Sequence, residues 1–526
     1  MSQISIQHLS FAYPGAEEAL FSDVSLSLDS SWKLGLIGRN GRGKTTFLSL
    51  LQGKYEYSGT IFAGVDFSYF PYEVTNKEQT ALEIAEGMIP QFEQWQLEKE
   101  LNLLAFDTGL LYLPFSYLSF GEQTKVLLAI LFLKENAFLL IDEPTSHLDK
   151  YARRLVAEYL DRKSGFILVS HDRSVLNACI DHVMSINKET IDVTSGNFST
   201  WQENKERQDL FELSENEKLK KDIKRLSAAA KRAGDWSKQT EKEKKGAPDK
   251  GFIGHKSAKM MSKAKNMEHR QLKAIGDKTK LLKNIESAGE LKLFPLSYMK
   301  QSLLEIKNLS VFYEDRAIFT DFNLKIENGD RIALMGKNGS GKSSLLQLIL
   351  GQSTQNENSR ILQENREGET VKSSEMKDKI VGTKQGGLSY TGDCFLGSNL
   401  KISYVSQSAA LLSGSLSGYA EKLEVEESLF LSVLRKLDFP RTSFEKDIAQ
   451  LSEGQKKKVL LSGSLCTQAH LYIWDEPLNF IDLLSRGQIE ELILTYQPTM
   501  LFVEHDASFV EKIATRWVET LMEDCE

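Results

Sequence analysis

The chain has 526 residues, 41% hydrophobic and 26% charged, with 65 Lys+Arg against 73 Asp+Glu, which is room for two or three domains with ordinary cores. No apolar run approaches the ~18–20 residues that cross a bilayer, and the start, MSQISIQHLSFAY, has neither a basic n-region nor an apolar h-region, so no membrane domain and no secretory signal are expected. Cys179, Cys394, Cys466 and Cys525 lack metal-ligand or disulfide spacing and read as buried or incidental thiols of a reducing cytoplasm.

Along the chain, the apolar run KLGLIG from Lys33 leads into GRNGRGKT (Gly38–Thr45) and then FLSLLQ. That is strand, glycine turn and helix, the context a phosphate-binding loop requires. LSFGE (Leu118–Glu122), FLLIDEP (Phe138–Pro144) and SHD (Ser170–Asp172) follow. The apolar runs that end in carboxylates predict buried parallel strands.

From Trp201 to about Leu291 the pattern becomes charged helix. Leu219, Ile223, Leu226 and Ala230 recur at helical spacing; Met260, Ala264, Met267, Leu272, Ile275, Leu282 and Ile285 recur with one slip. Between the runs, KKGAPDKGFIGHK (Lys244–Lys256) stops a helix, so an antiparallel coiled-coil hairpin with arms of roughly 60 Å is predicted. Lys221–Lys283 holds 19 Lys+Arg against 7 Asp+Glu, a balance of +12, while the other 463 residues carry −20. A basic projection on an acidic body suits a polyanion partner; a lysine-rich hairpin kept for solubility is the alternative.

The motifs then repeat as RIALMG from Arg331, GKNGSGKS (Gly336–Ser343), LSEGQ (Leu451–Gln455), LYIWDEP (Leu471–Pro477) and EHD (Glu504–Asp506). Matching glycines are 298 residues apart, but the later motifs are 333 or 334 apart. The second copy therefore holds an insertion, read as the polar surface loop Ser353–Leu388. The expected fold is α/β: two P-loop nucleotide-binding domains at 1–200 and 292–526, joined by a helical hairpin at 201–291.

The chemistry of such loops is ATP binding, with backbone N–H groups and a helix N-terminus around the phosphates. This assigns Gly38, Asn40, Gly41, Gly43, Lys44, Thr45 and Thr46 in one half and Gly336, Asn338, Gly339, Gly341, Lys342, Ser343 and Ser344 in the other. Lys44 and Lys342 face the β- and γ-phosphates, while Thr45 and Ser343 ligate Mg²⁺. Asp142 and Asp475 hold Mg²⁺ through water, and Glu143 and Glu476 polarise the attacking water. Exposed strand-end carboxylates are the bland alternative. His171 and His505 stand 29 and 30 residues after those aspartates and read as γ-phosphate sensors.

Four motifs in this order, twice, resemble the nucleotide-binding domains of ABC proteins. The resemblance implies head-to-tail closure, with each ATP between one P-loop and the opposite signature. Ser119 and Gly121 then cap the ATP held by Lys342, and Ser452 and Gly454 the one held by Lys44. Tyr13 and Tyr313 match the family's adenine-stacking aromatic, with core tyrosines as the alternative. The family's glutamine, a further Mg²⁺ and water contact, is Gln407 in SYVSQ, but YFPYE puts Tyr72 there in the first half. A longer side chain with a single hydroxyl suits that contact less well, so unequal sites are expected.

Tandem cassettes, the absent membrane segment, the helical linker and GNFSTW (Gly196–Trp201) before it resemble the ABC-F family over nearly the whole chain. The resemblance implies a cytoplasmic monomer with intramolecularly paired cassettes that enters the E site of the 70S ribosome. There it would meet 23S rRNA and P-site tRNA, where neutralising phosphates dominates affinity; DNA is not an expected partner. SFAYPGAEEALF, WKLGLIGRNGRGKTT, SYFP and DKGFIGHKSAKMM look like the Lsa-type resistance factors of Firmicutes, which protect ribosomes against lincosamides, streptogramin A and pleuromutilins. Lys244, Lys245, Pro248, Lys250, Phe252 and Ile253 would form the tip beside the drug site. The alternatives are a housekeeping ABC-F translation factor, a transporter's ATPase subunit, and a DNA-repair ATPase, the last disfavoured by the short hairpin and the lack of zinc-ligand cysteines.

Overall fold

The computed structural model describes residues 3–15, 19–89, 92–146, 148–187, 190–244, 262, 269–270, 273, 291–313, 316–337, 339–351, 388–410 and 412–520. In the first cassette β1 (Gln3–Phe11) and β2 (Phe21–Asp29), which precede β3 (Lys33–Gly38) in the chain, form an antiparallel sheet with β4 (Ser58–Ala63), which follows it. β5 (Asp66–Phe70), β6 (Ala137–Asp142), β7 (Phe166–Val169), β8 (His182–Ile186) and β9 (Ile191–Ser195) join β3 in a second sheet of order β5-β6-β7-β3-β8-β9. All its pairs are parallel except β8 with β9.

The second cassette repeats this with β10 (Ser302–Tyr313), β11 (Arg316–Glu327) and β13 (Leu388–Leu396) in one sheet. β12 (Arg331–Met335), β14 (Ile402–Val405), β15 (Leu471–Asp475), β16 (Met500–Val503) and β17 (Arg516–Glu519) form the other, in the order β14-β15-β16-β12-β17. Strands β7, β15 and β16 are buried along their whole length, which explains runs such as FILV and MLFV that do not alternate. Because β6, β7 and β3 are adjacent and parallel, their carboxyl ends put the DEP, SHD and glycine-loop segments side by side. That is where ligands bind in open α/β sheets.

The glycine turns are demanded by packing as well as by phosphate. Gly43 has φ 87°, and a Cβ there would lie 2.8 Å from Leu20 and 2.9 Å from Phe21. Gly341, φ 83°, would meet Ile318 at 2.5 Å. Any side chain would be strained in φ and would also collide with the core.

Chain contacts group Met1–Phe198 with Ala288–Glu526 in one compact unit and Ser199–Ser287 in another. Inside the first unit the cassettes meet through a buried ion pair, with Arg173 Nη1 donating to Glu490 Oε1 at 2.7 Å and side-chain exposures of 9% and 1%. Arg173 Nη2 also donates to the Leu483 carbonyl at 3.2 Å, and Lys512 Nζ donates to Glu490 Oε2 at 2.9 Å. The carboxylate is thus satisfied from both cassettes, as burial of a charge requires.

The second unit holds most of a single helix, Phe198–Lys244, 47 residues and so ~70 Å long at ~1.5 Å per residue. Leu219, Ile223 and Leu226 are partly shielded on it, while Lys220, Lys221, Lys224 and Arg225 are exposed, an amphipathic face with a basic back. Most of the return arm, the tip from Lys245 through Pro248, Lys250, Phe252 and Ile253 with the Lys244 side chain, Asn338, and the insertion up to residue 387 lie outside the described residues; the described positions 262, 269, 270 and 273 of that arm are helical, and Leu388 opens β13. Among the described residues no helix is long and apolar enough to cross a membrane.

The Arg173→Met substitution leaves Glu490 with one partner fewer in a buried seam, so a loss on the order of 3 kcal/mol is expected. Thermal unfolding of the full chain measures it, and Arg154→Met, which breaks the exposed Arg154–Glu158 pair, is expected to leave the midpoint unchanged.

Candidate active sites

Two clefts face the glycine loops. The first, about 480 Å³, is lined by Tyr13, Asn40, Gly41, Gly43, Lys44, Thr45, Thr46, Asp142, Glu143 and His171 of one cassette and by Ser452, Gly454, Gln455, Lys458 and Phe480 of the other. It brings Lys44 together with the second signature, the pairing expected for head-to-tail closure. Asn40 Nδ2 donates to the Phe480 carbonyl at 2.7 Å across the seam. Ser452 caps the helix Glu453–Cys466 in a capping box with Gln455, so a helix N-terminus with its partial positive charge faces the cleft.

The second cleft, about 380 Å³, is lined by Gly339, Gly341, Lys342, Ser343, Ser344, Gln407, Glu476 and His505, with Leu148 and Arg153 from the first cassette. Ser119 and Gly121 do not line it. Ser119 is closed on itself, its Oγ donating to Glu122 Oε2 at 2.7 Å. The adenine-type tyrosines also differ: Tyr13 lines its cleft and its hydroxyl meets Thr46 Oγ1 at 2.7 Å, whereas Tyr313 is 51% exposed and absent from the second lining. Gly38 and Gly336 stand behind the loops, where their carbonyls accept from Lys44 Nζ at 2.7 Å and Lys342 Nζ at 2.8 Å.

The catalytic-end geometry is shared at the backbone. Glu143 and Glu476 both adopt left-handed φ, 50° and 46°, a conformation that costs a non-glycine residue energy and marks functional positions. Each is held there by its amide, donating to Val169 O at 2.9 Å and Val503 O at 3.0 Å. Thr45 Oγ1 donates to Asp142 Oδ2 at 2.9 Å, and Ser343 hydrogen-bonds Asp475.

The side chains diverge. Gln407 Nε2 donates to Glu476 Oε1 at 2.9 Å and Asn479 Nδ2 to Oε2 at 2.5 Å, while His505 Nε2 lies 3.3 Å from Oε1. Burial pushes the Glu476 pKa up, but the hydrogen bonds from His505, Gln407 and Asn479 outweigh it and hold the group at about 2. In the first cassette, strand register gives Tyr72 the position that Gln407 has in the second, yet Tyr72 is 42% exposed and does not line the cleft. Ser146 stands where the second half has Asn479. Glu143 Oε1 is buried without a hydrogen bond, with His171 Nε2 at 3.5 Å. Burial and the adjacent Asp142 carboxylate raise Glu143 to about 7.

Among the described residues no group of three or more His, Cys, Asp or Glu could hold a metal unaided. A cation here needs phosphate and water ligands, which is the usual coordination of Mg²⁺. The residues fit that ion: Asp475 Oδ1 is buried and orphaned, and Asp142 faces Thr45 beside a glycine cradle. Mg²⁺ held by Asp142 with Thr45, or by Asp475 with Ser343 and Gln407, would neutralise phosphate charge.

Several structuring residues escaped motif reading. Arg153 Nη1 donates to Asp172 Oδ2 at 3.1 Å and Arg486 Nη1 to Asp506 Oδ2 at 3.1 Å. Each arginine also bonds a carbonyl of the loop after its DEP motif, Leu148 O at 2.8 Å or Leu478 O at 2.9 Å, so each ties that loop to the segment bearing the histidine. Both pairs recur at the repeat offset, a signal available in the sequence. Tyr69, whose hydroxyl donates to Asp142 Oδ2 at 3.1 Å, was hidden by its alternation with strand-core residues.

A family model described as "ABC transporter" matches residues 21–146 and 319–479, one span in each cassette. The ribosome protection protein VmlR of Bacillus subtilis (strain 168) is 27% identical, over 95% of this chain and 84% of that protein. ABC transporter F family member 5 of Arabidopsis thaliana is 24% identical, over 98% of this chain and 75% of that one. The archaeal ribosome recycling factor aABCE1, solved with the ribosomal stalk protein aP1, shares the fold with a TM-score of 0.58 at 16% identity, over 97% of this chain and 87% of that one. The chain belongs to the ATP-binding cassette (ABC transporter) family, as a twin-cassette ATPase of the ABC-F type that uses ATP and Mg²⁺.

Proposed function

We propose that this ATPase binds the 70S ribosome and protects it from antibiotics of the peptidyl-transferase centre. What carries the reading is a linker with a +12 balance on an acidic chain, together with likeness to a ribosome protection protein along 95% of the sequence. In this scheme Lys44 and Lys342 bind the β- and γ-phosphates, and Ser452 with Gly454 caps the first nucleotide. Ser119 with Gly121 caps the second once its cleft closes. Glu143 and Glu476 orient the attacking water, and His171 and His505 contact the γ-phosphate. Closure of the cassettes around ATP gives the ribosome-bound form, and hydrolysis reopens it. The free energy that matters is the closed form's tighter hold on the ribosome.

The basic linker would cross rRNA from the E site toward P-site tRNA, with its tip, around Lys244–Ile253, displacing lincosamides, streptogramin A or pleuromutilins directly or through shifted RNA. A housekeeping translation factor is the second reading, favoured by the similar likeness to F family member 5, whose name carries no protective role. Drug susceptibility of a sensitive host expressing the chain separates the two.

The double variant Glu143→Gln with Glu476→Gln is expected to stay on ribosomes in ATP; rapid dissociation in a sedimentation assay would sink the scheme. Shortening Lys245–Gly251 is expected to abolish protection while keeping most ATPase activity, and retained resistance in that truncation would remove the tip's role. Because only Gln407 touches its glutamate, Gln407→Ala is expected to lower turnover about tenfold and Tyr72→Ala less than about twofold. Equal losses in steady-state ATPase would contradict the site assignment.

A further inference from the structure

The helix Glu453–Cys466 carries a lysine whose position neither cassette motif accounts for. Lys457 is 2% exposed, and its Nζ donates to two backbone carbonyls, Ser406 O at 2.8 Å and Glu476 O at 3.1 Å. Ser406 directly precedes Gln407, and Gln407 is the side chain that holds the Glu476 carboxylate at 2.9 Å. One ammonium therefore fastens the start of the glutamine loop to the backbone of the glutamate that this glutamine must reach. The segments are also linked by the pairing of β14 with β15, which ends at Val405 beside Trp474, and by the Gln407–Glu476 hydrogen bond itself.

A buried lysine is disfavoured unless its donors are used and its charge is balanced. Burial lowers the Lys457 pKa, and the carboxylates of Glu476, Asp475, Glu504 and Glu453 offset part of that effect. Glu504 is 4% exposed; it accepts from Leu478 N at 2.9 Å and from His505 N at 2.8 Å. It thereby holds the loop after β15 and the backbone of the sensor histidine. At the matching offsets the first cassette has Thr124 for Lys457, Ser170 for Glu504 and Pro71 for Ser406. The charged brace belongs to the second cassette alone, the half in which the glutamine is also present.

Placement on this helix adds a connection. Ser452, Gly454 and Lys458 line the first cleft, and Lys458 Nζ bonds Asp482 Oδ2 at 3.3 Å and Leu437 O at 2.7 Å. Lys457, the adjacent residue, serves the second site. One rigid helix thus ends at one ATP cleft and braces the catalytic geometry of the other.

We propose that Lys457 is a positioning residue of the second ATP site, fixing the glutamine loop against Glu476 and tying that geometry to the signature helix engaged at the first site. This rests on Glu476 and Gln407 acting together on the attacking water. The test is steady-state ATPase of the full chain. Lys457→Met is expected to lower kcat about tenfold with KM within about twofold, Lys457→Arg to recover part of that loss, and Thr124→Val to stay within about twofold of the unsubstituted chain. If Lys457→Met does not fold, Lys457→Gln, which keeps an N–H donor, is held to the same criteria. Turnover within about threefold of the unsubstituted chain, or a loss shared equally between kcat and KM, overturns the proposal. Glu476→Gln is the control: if it leaves turnover intact, the reading of Glu476 has failed, whereas its loss beside a fully active Lys457 variant refutes the brace alone.

Discussion

Arg173 reaches from the first cassette to Glu490 of the second, and Asn40 to the Phe480 carbonyl, so the first cleft exists only because two halves of one chain are held together. Covalent linkage supplies the high effective concentration that separate subunits would lack. The seam then sets the register. A displacement of an ångström at Phe480 would carry Ser452 and Gly454 away from the loop that holds Lys44, and catalytic arrangements lose much of their rate for shifts of that size.

Around that seam the two sites are built alike in backbone and differently in side chains. Both glutamates are strained into left-handed φ and anchored by the same amide-to-carbonyl bond from the neighbouring strand. One then meets an amide pair, Gln407 and Asn479, while at the other the matching positions are Tyr72, which lies away from the cleft, and Ser146. The electrostatic result is opposite in sign: hydrogen bonds depress Glu476, while burial and the Asp142 carboxylate raise Glu143. Duplication has preserved the scaffold that aims the carboxylate and let its solvation diverge.

The scaffold was legible in the sequence because its demands are local. A glycine turn between an apolar strand and a helix, a carboxylate ending an apolar run and a serine at a helix N-cap are each short-range patterns with one physical solution. The pairing of Lys44 with Ser452 and Gly454 came from family resemblance, since no spacing reveals which distant segments meet. Arg153 and Arg486 were readable in principle, because both halves keep them at one offset. Lys457 was not readable, since LSEGQKKK looks like a solvated basic run. Lys456 and Lys458 are buried as well, and it is the bonds to the Ser406 and Glu476 carbonyls that distinguish Lys457 from its neighbours. Tyr313 and the first signature match their motifs yet lie away from the second cleft, a difference of packing that local patterns do not encode.

Lys44 and Lys342 do not wait with free ammonium groups. Lys44 already donates to Gly38 O, Arg39 O and Asn40 Oδ1, and Lys342 to Gly336 O and Lys337 O. With all three N–H donors of Lys44 engaged, an arriving phosphate there must displace one of the loop's own acceptors, and the net gain is the difference between two charge-assisted bonds, whereas Lys342, among the described residues, keeps one N–H for the phosphate. The first loop is its own competitor. That lowers intrinsic nucleotide affinity, and it offers the lysine a ready alternative when product leaves, which favours a cycle over a trap.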